Sequence, residues 1–207
     1  NLMTKNIHII GGGLAGCELA YQLSLNKIFS YLYEMRPKVK TEAHQTNRLS
    51  ELVCSNSFRS DDFVYNAVGL LHQELRLSNS LIMKAADKNK VPAGSALAVD
   101  REMFSEYVDK KIKSNKYIKV INKEITNLKI FEDEIVVIAT GPLTSKKLSK
   151  EIERLTSKKC LDFFDAIAPI VYYESIDMKI AWKQSRYDKG DGDDYINCPL
   201  TKFEYIK

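Results

Sequence analysis

Apolar residues near the start of the chain follow first the spacing of a buried strand and then that of a helix. Residues 6–10 (NIHII) are an apolar run with β-branched side chains that ends in glycines, which predicts a buried strand. From Leu14 to about Leu25 apolar residues recur at helical spacing, and Asn26 is predicted to end this helix in the left-handed conformation. Residues 29–34 (FSYLYE) predict a second strand. Strand, glycine turn, helix and strand in this order build a parallel sheet with a right-handed crossover, so the predicted fold class is α/β and Rossmann-like.

The pattern beyond the second strand predicts a long loop and then further helices and strands. Residues 36–62 are polar, and a loop of that length is usually functional. Within it, His44 is interpreted as solvated, with assistance to a nucleophile as the alternative. Residues 66–114 form a predicted helical insertion, with helices at 66–88 and 101–114, the second capped by Asp100. The remaining predicted elements are strands at 117–121, 134–139 and 166–173 and a helix over 145–156 that follows Thr144 as its cap.

Composition narrows the class of protein without changing this picture. With 44% hydrophobic and 28% charged residues, 5 Pro and 9 Gly, the chain is globular rather than disordered, collagen-like or a disulfide scaffold. No apolar run approaches the roughly 18–20 residues that span a membrane, and the strand-like start has no leader pattern, so we expect a cytoplasmic protein with reduced thiols. The four cysteines stand far apart without a C-x-x-C pair, which predicts no metal site. The net charge of +4 is compatible with an anionic partner.

A glycine motif, GGGLAG, lies between the first strand and the first helix and matches G-x-G-x-x-G at Gly11, Gly13 and Gly16. In nucleotide-binding turns the first glycine makes the tight turn, the second lets backbone approach a pyrophosphate, and the third lets helix and strand pack closely. Glu34, 18 residues after Gly16, ends the second strand where a carboxylate holds ribose hydroxyls. The alternative is a purely structural turn. The predicted dinucleotide site comprises Gly11, Gly12, Gly13, Leu14, Ala15, Gly16 and Glu34.

The glycine motif alone does not distinguish FAD from NAD, and a second motif bears on the choice. IATGPL (138–143) ends a predicted strand in Ala-Thr-Gly, which is typical of two-domain flavoproteins whose chain passes close to the flavin nucleotide. Thr140 and Gly141 are therefore added to the predicted cofactor site. The alternative is a simple junction between strand and turn, marked by Gly141.

Two of the four cysteines are candidates for chemistry. Free cysteine is most often a small buried hydrophobic residue, and this interpretation suits Cys17, inside the first helix, and Cys160, ahead of LDFF. Cys54 differs because its neighbours SNSFRS are polar, and Arg59 is near enough to help stabilise a thiolate. Cys198, in YINCPL, follows a predicted strand end. For both candidates the residues alone leave a catalytic and a structural role open.

Ten short motifs occur in an order that resembles a known family. They are GGGLAG (11–16), YEMRP (33–37), ELVCSNSFRS (51–60), NAVGLL (66–71), SLIMKAAD (80–87), VPAGSALAVDR (91–101), IATGPLTS (138–145), DAIAPIV (165–171), SRYDKG (185–190) and NCPL (197–200). Over essentially the whole chain from Met3, the sequence resembles the TrmFO family, the folate- and FAD-dependent tRNA (uracil-5-)-methyltransferases. ELVCSNS together with VPAGSALAVDR separates this family from its larger relative MnmG.

The resemblance implies a reductive methylation of a uridine in the T loop of tRNA. Methylenetetrahydrofolate supplies one carbon, reduced FAD supplies electrons and relays that carbon, and NADPH or NADH reloads the flavin. Because C5 of uracil is a poor nucleophile, a thiolate adds to C6 and turns the ring into an enolate. The resemblance implies that Cys54 and Cys198 serve this chemistry. We favour Cys198 as the nucleophile and Cys54 as its partner on the flavin side, although sequence does not decide which one attacks uracil.

Length is the main departure from the family, since this chain of 207 residues has only about half the family's length. The resemblance therefore implies an FAD-binding domain over residues 1–147 and a truncated second domain for substrate and tRNA over 148–207. We expect the chain alone to be a poor or inactive methyltransferase. The alternatives are an inactive FAD- or tRNA-binding remnant and an MnmG-like modification of tRNA uridine.

Overall fold

The computed structural model describes residues 6–157, 171–185 and 193–206. The strands in these ranges are β1 (Ile7–Ile10), β2 (Ser30–Glu34), β3 (Ser57–Ser60), β4 (Lys90–Val91), β5 (Ala96–Val99), β6 (Ile118–Asn122), β7 (Ile135–Ile138), β8 (Trp182–Lys183) and β9 (Ile196–Asn197). The α-helices are α1 (Leu14–Leu25), α2 (Ala67–Leu77), α3 (Leu81–Lys88), α4 (Arg101–Lys113), α5 (Lys146–Thr156) and α6 (Lys202–Ile206).

Four strands form one parallel sheet in the order β6-β2-β1-β7. Ile9 of β1 lies beside Leu32 of β2 and Val137 of β7 in the register. Ile9 and Leu32 are fully buried, as the apolar strands of a parallel sheet require. The connecting helix α1 packs Cys17 and Ala20 into the same core. The predicted Rossmann-like α/β fold is confirmed.

Helix α1 has its predicted bounds, but its C-terminal end differs from the prediction. Asn26 has φ −93° and is not left-handed, whereas the next residue, Lys27, has φ +58°. The side-chain amide of Asn26 donates to the carbonyl oxygen of Gln22 at 3.1 Å. Asn26 is thus the cap that bonds back to the last turn, and the left-handed position falls one residue later.

The helical pattern over residues 66–88 corresponds to two helices rather than one. Between α2 and α3, Asn79 has φ +59°. The hydroxyl of Ser80 then caps α3 by accepting a hydrogen bond from the amide of Met83 at 3.1 Å. Asn and Ser side chains compete with the hydrogen bonds of a helix, so this pair ends one helix and starts another.

The N-cap residue was predicted correctly for α4 but was one residue too early for α5. Asp100 caps α4 as predicted, since its carboxylate accepts from the amide of Met103 at 2.9 Å. Helix α5 is capped by Ser145 and not by the predicted Thr144. The hydroxyl of Thr144 instead donates to the carbonyl oxygen of Gly141 at 2.8 Å.

A second sheet, antiparallel and in the order β3-β5-β4, was not predicted. Strands β4 and β5 lie inside the region 66–114 that was predicted as helical, and β3 lies inside the predicted polar loop 36–62. Strand β5 (ALAV) includes the fully buried Val99, but four residues are too few to distinguish a strand from a helix by their period. Leu49 and Leu52 are also buried, so part of the polar loop belongs to the core.

The predicted strand over 166–173 lies mostly outside the described residues. Where the description resumes, the chain forms a 3₁₀ turn at Tyr173–Ser175 rather than a strand. Strands β8 and β9 then pair antiparallel. The strand end predicted before Cys198 corresponds to β9, whereas a two-residue strand such as β8 carries no periodicity, so the sequence did not indicate β8.

The proposed domain boundary between residues 147 and 148 remains a prediction. Helix α5 runs across this position. Its Leu148 is 2% exposed and packs in one cluster with Ile10 and Tyr33. Because successive strand residues point to opposite faces, this cluster covers the face of the parallel sheet opposite to α1. The start of α5 is therefore attached to the parallel sheet.

Candidate functional site

Backbone atoms obstruct the Cβ position at two glycines of the turn between β1 and α1. Gly11 has φ +111°, and a Cβ there would lie 2.6 Å from the carbonyl oxygen of Ala139, just after β7. A Cβ at Gly16 would lie 1.9 Å from the carbonyl oxygen of Gly11. Gly11 therefore makes the turn and Gly16 lets α1 press against it, which are the two structural tasks of this motif.

Gly13 is different, because a Cβ at this position would meet nothing within 4 Å. Its φ of −80° is ordinary backbone, so the space beside it is what distinguishes this residue. Gly13 is the N-cap of the 12-residue helix α1, and no side chain caps the helix there. The first amides of such a helix and its dipole favour an anion. The space beside Gly13 therefore fits a phosphate group.

A cavity of about 370 Å³ opens at the carboxyl ends of β1, β2 and β7. Eight of the nine residues predicted to bind a cofactor line this cavity, and the ninth, Gly16, is buried in α1. The eight are Gly11, Gly12, Gly13, Leu14, Ala15, Glu34, Thr140 and Gly141. Folds of this class bind ligands at this edge of the sheet, and the binding role of these residues stays a prediction.

The carboxylate of Glu34, at the end of β2, already accepts four hydrogen bonds. Its Oε1 accepts from the backbone amide and the Nε of Arg36, at 3.0 and 2.9 Å. Its Oε2 accepts from the Nη2 of Arg36 at 3.1 Å and from the amide of Gly12 at 3.2 Å. Since a carboxylate offers about four acceptor positions, a ribose hydroxyl has to replace or share one of these donors. The predicted ribose contact therefore competes with Arg36.

Arg36 is only 2% exposed and extends from Glu34 to the loop that leads to Cys54. Its Nη1 donates to the Oε2 of Glu51 at 2.7 Å. The other oxygen of Glu51 accepts the backbone amides of Gln45 and Thr46, at 2.8 and 3.0 Å. Sequence analysis missed this role of Arg36 and Glu51. The available signal was the opposite charge of two residues in the motifs YEMRP and ELVCSNS.

The guanidinium of Arg36 affects the pKa values of two ionisable groups that line the cavity. Burial raises the pKa of Glu34, but the hydrogen bonds and charge of Arg36 outweigh burial and hold that pKa below its usual value. Burial, and then the charge of Arg36, lowers the pKa of His44, while Glu51 opposes this shift. His44 is half-buried, lines the cavity, and has its Nδ1 2.9 Å from the hydroxyl of Thr41. The prediction of a solvated His44 was therefore wrong.

Thr140 and Gly141 lie where β7 ends, beside the glycine turn. The hydroxyl of Thr140 is 2.5 Å from that of Thr144. Gly141 has φ +59° and begins a 3₁₀ turn, and a Cβ there would meet nothing within 4 Å. The segment is thus a junction between strand and turn, and it also lines the cavity. The two interpretations of IATGPL are therefore compatible.

Cys54 is half-buried and lies next to the cavity at the carboxyl ends of the parallel strands, which is the first of two cavities. Its neighbour Val53 is one of the residues that line the cavity. The carbonyl oxygen of Cys54 accepts from the Nη2 of Arg101 at 2.9 Å, so the start of α4 anchors this segment. Arg59, considered as a partner for the thiolate, is exposed on β3 with φ +71°.

Cys198 is exposed and lines a second cavity of about 300 Å³. The cavity walls are mostly apolar and include Ile176, Ile180 and Pro199. Among the described residues, the two cavities share no lining residue. The structure therefore places Cys54 beside the predicted cofactor site, whereas Cys198 lies at the second cavity.

The strand pair β8–β9 is held against the small sheet. The hydroxyl of Tyr195 donates to the carbonyl oxygen of Ala93 at 3.0 Å, and the amide of Gly94 donates to the carboxylate of Asp194. Strand β3, which begins shortly after Cys54, pairs with β5 of the same sheet. Both cysteine-bearing segments are thus anchored to one small sheet.

The two cysteines predicted to be structural have different outcomes. Cys17 is fully buried in α1, and its Sγ donates to the carbonyl oxygen of Gly12 at 3.4 Å. Burial raises the pKa of the Cys17 thiol to about 12. This environment is that of an unreactive packing residue. Cys160 lies outside the described residues.

Residues 6–157, 171–185 and 193–206 contain neither a metal site nor a membrane-spanning helix. No group of three or more His, Cys, Asp or Glu residues there is arranged to hold a metal ion. The longest helix in these ranges, α4, has 13 residues, and none is long and apolar enough to cross a membrane.

Comparisons with known proteins were made on sequence and on structure. Residues 6–207 match the model of the family described as glucose inhibited division protein A. A protein of Bartonella henselae named methylenetetrahydrofolate–tRNA-(uracil-5-)-methyltransferase TrmFO is 57% identical over 99% of this chain and 44% of its own length. A protein of the same name from Zymomonas mobilis is 58% identical over 97% of this chain and 44% of its own length. This chain therefore spans less than half the length of the curated relatives that it matches.

A solved structure of GidA from Aquifex aeolicus shares 15% sequence identity with this chain, at a TM-score of 0.48. The match covers 59% of this chain and 20% of that protein.

Proposed function

The chain belongs to the glucose inhibited division protein A family, and from this premise we propose that it forms the flavin-binding, cysteine-bearing part of a folate-dependent tRNA (uracil-5-)-methyltransferase. The observation that carries the proposal is the cavity at the carboxyl ends of the parallel strands, which contains eight predicted cofactor residues and the open space at Gly13. The names of the relatives at 57% and 58% identity supply the reaction.

The residues around the first cavity fit the ADP half of FAD. Amides at the start of α1 bind the pyrophosphate beside Gly13, and Glu34 orients a ribose hydroxyl. Thr140 and Gly141, which line the same cavity, would also contact the dinucleotide. Bound FAD, reduced by NADPH or NADH, supplies the two electrons that turn a transferred methylene carbon into a methyl group.

The cysteines supply the covalent chemistry on uracil. The Cys198 thiolate adds to C6 of the target uridine and forms a C–S bond, while the electron pair of the C5–C6 double bond moves towards C5 and O4. C5 then bonds to the one-carbon unit from methylenetetrahydrofolate. The two carbon–nitrogen bonds that held this carbon break, each nitrogen takes up a proton, and the two electrons from the flavin enter with a proton as the third C–H bond of the methyl group. Loss of the C5 proton to a base expels the thiolate and restores the double bond. The position of Cys54 beside Val53 and the first cavity supports its assignment to the flavin side.

The partners proposed for the protein follow from this reaction. They are tRNA, methylenetetrahydrofolate and NADPH or NADH, with ribothymidine in the T loop as the product. A cytoplasmic location suits a reaction that depends on reduced thiols.

Two measurements test the proposal at different levels. First, the absorption spectrum of the purified chain after incubation with FAD and gel filtration should show a retained flavin band. Absence of the band in folded protein would contradict the cofactor site.

Second, residues 1–207 should replace the matching part of the Bartonella henselae relative in a full-length chimera. With FAD, NADPH, unmodified tRNA and carbon-labelled methylenetetrahydrofolate, the chimera should place the label in ribothymidine. A folded, flavin-loaded chimera that leaves ribothymidine unlabelled would contradict the proposal. Label in another uridine derivative would favour the MnmG-like alternative. The same assay on the 207-residue chain alone tests whether it is a poor methyltransferase by itself.

A further inference from the structure

Arg36 contacts the nucleotide side of the cavity and the cysteine side at the same time. Three of its hydrogen bonds go to the Glu34 carboxylate, at 2.9 to 3.1 Å. A fourth joins its Nη1 to Glu51 at 2.7 Å. The side chains of Arg36 and Glu51 are 2% and 10% exposed. Because these groups are so little exposed, a bond lost at one end costs free energy unless another protein group or a ligand in the cavity replaces it.

The loop that carries Glu51 also contacts the glycine turn directly. The amide of Ser50 donates to the carbonyl oxygen of Gly12 at 2.8 Å. The amide of Gly12 in turn donates to Glu34 at 3.2 Å. The loop is also attached to α4, where the amide of Leu49 donates to Asp109 at 3.0 Å and Arg101 donates to the carbonyl oxygen of Cys54 at 2.9 Å. The loop is thus held by the nucleotide turn on one side and by α4 on the other.

Filling the ribose site must redistribute these bonds. The four acceptor positions of Glu34 are used, so a ribose hydroxyl that donates to it displaces or weakens the bond of one N–H, and Arg36 supplies three of the four, two of them from its guanidinium. A displaced guanidinium N–H needs another acceptor in this buried setting. The protein acceptors that the guanidinium contacts besides Glu34 are the carboxylate of Glu51 and the carbonyl oxygen of Thr46, both through Nη1, at 2.7 and 3.4 Å.

We propose that Arg36 is a positioning residue that couples occupancy of the ribose site at Glu34 to the position of the Cys54 segment. The inference rests on the proposed function in taking Glu34 as a ribose ligand. When the site is filled, Arg36 shifts towards Glu51 and tightens the segment that runs from Glu51 to Cys54. Coupling between two sites is reciprocal, so the position of the segment also affects nucleotide affinity. A flavin nucleotide would thereby order one of the thiols that work beside it.

The experiment follows the two exposed or half-exposed thiols while the nucleotide site is filled. ADP is the probe, because it carries the ribose and pyrophosphate but no flavin ring that would cover the cysteine. The rate of alkylation by N-ethylmaleimide is measured at Cys54 and Cys198 by mass spectrometry, with and without saturating ADP. We expect ADP to slow alkylation of Cys54 by about fivefold, the lower end of typical coupling between sites. The rate at Cys198, which lines the other cavity, should not change.

Variants separate coupling from simple shielding of the thiol by bound ADP. Arg36→Lys keeps the charge but loses the fork that bonds both carboxylates, and Glu51→Gln keeps shape while weakening the link. In either variant, saturating ADP should leave the Cys54 rate nearly unchanged. Persistence of the fivefold effect in Glu51→Gln overturns the inference, and this variant decides the matter if Arg36→Lys does not fold.

A matched control loosens the same loop without touching Arg36. Asp109→Ala removes the acceptor of the Leu49 amide. Alkylation of Cys54 should become faster in this variant, but the ratio between rates with and without ADP should remain about fivefold. Loss of the ADP effect here would show that any weakening of the loop abolishes it, and the specific role of Arg36 would be wrong.

A separate binding measurement distinguishes failure of the coupling from failure of the proposed nucleotide site. Isothermal titration of the unmodified chain with ADP shows whether the nucleotide site exists. Absence of binding refutes the nucleotide site itself and removes the premise of the coupling. Binding without any change at Cys54 refutes the coupling alone and leaves the proposed function standing.

Discussion

Gly16 approaches Gly11 so closely that a Cβ on Gly16 would lie 1.9 Å from the Gly11 carbonyl oxygen. Backbone on both sides of this contact prevents relief by a side-chain rotation. Gly16→Ala should therefore lower the free energy of unfolding by about 1–3 kcal/mol or more, as overpacking does. Urea unfolding followed by circular dichroism measures this change. A variant as stable as the unmodified chain would contradict the close packing of α1 on the turn.

Gly13→Val is the matched substitution in open space. Nothing lies within 4 Å of its Cβ position, and φ −80° suits any residue, so stability should change by less than about 1 kcal/mol, the cost of a poorer N-cap residue. The valine fills the space assigned to the phosphates, so retention of FAD and binding of ADP should be lost. Undiminished flavin in this variant would refute the phosphate site.

The thiols should differ in reactivity and in their importance for methylation. In the full-length chimera, Cys54→Ala and Cys198→Ala should each eliminate ribothymidine formation, whereas Cys17→Ala and Cys160→Ala should retain it. Because burial raises the pKa of Cys17 to about 12, this thiol should resist alkylation at pH 8 in the folded chain and react once urea unfolds it. An inactive Cys160→Ala variant would show that catalytic and structural cysteines were sorted wrongly.

The pair of Glu34 and Arg36 should make stability depend on acidity. Although burial opposes it, Arg36 holds the pKa of Glu34 below its unfolded value of about 4.5. The carboxylate therefore contributes stability above pH 4.5, and this contribution is lost as the pH falls through the lower, folded-state pKa. Glu34→Gln should cost about 1–3 kcal/mol at pH 7, and the difference from the unmodified chain should shrink below pH 4. Urea unfolding at pH 7 and pH 3.5 measures both values, and a constant difference would contradict the assignment.

Arg76 ties α2 to α3 and to the end of β3. Its Nη2 lies 2.9 Å from Asp61 and 2.7 Å from Asp87, and its side chain is 23% exposed. Arg76→Met should lower the free energy of unfolding by about 1–3 kcal/mol, because it leaves the 17%-exposed Asp61 carboxylate with fewer donors. Lys113→Met, which removes a 50%-exposed lysine from its pair with Asp109, is the control and should cost less than about 0.5 kcal/mol. Equal losses in the two variants would show that burial of the Arg76 network has no energetic effect.

The glycine turn and its flanking elements were predictable because their signals are local. A strand, a helix and the glycines between them are encoded by residue spacing and backbone preference within about ten positions. This accounts for β1, α1 and the capping of α4 by Asp100. It also accounts for the grouping of eight predicted cofactor residues around one cavity, since the carboxyl ends of parallel strands meet at one edge of the sheet.

The roles of Arg36, Glu51 and the small sheet were decided only by tertiary structure. Glu34 was predicted as a ribose ligand, but its sequence position does not reveal that the buried guanidinium and the backbone amide of Arg36 together use three of its acceptor positions. The contact of Gly94 with Asp194 joins residues 100 positions apart, and no local pattern encodes such a pair. Hydrogen bonds of this kind form because burial removes water from polar groups, and a buried polar group without a partner costs free energy. Which groups meet depends on how the whole chain packs. Local sequence therefore determined the glycine turn at Gly13, whereas packing determined which residues surround it.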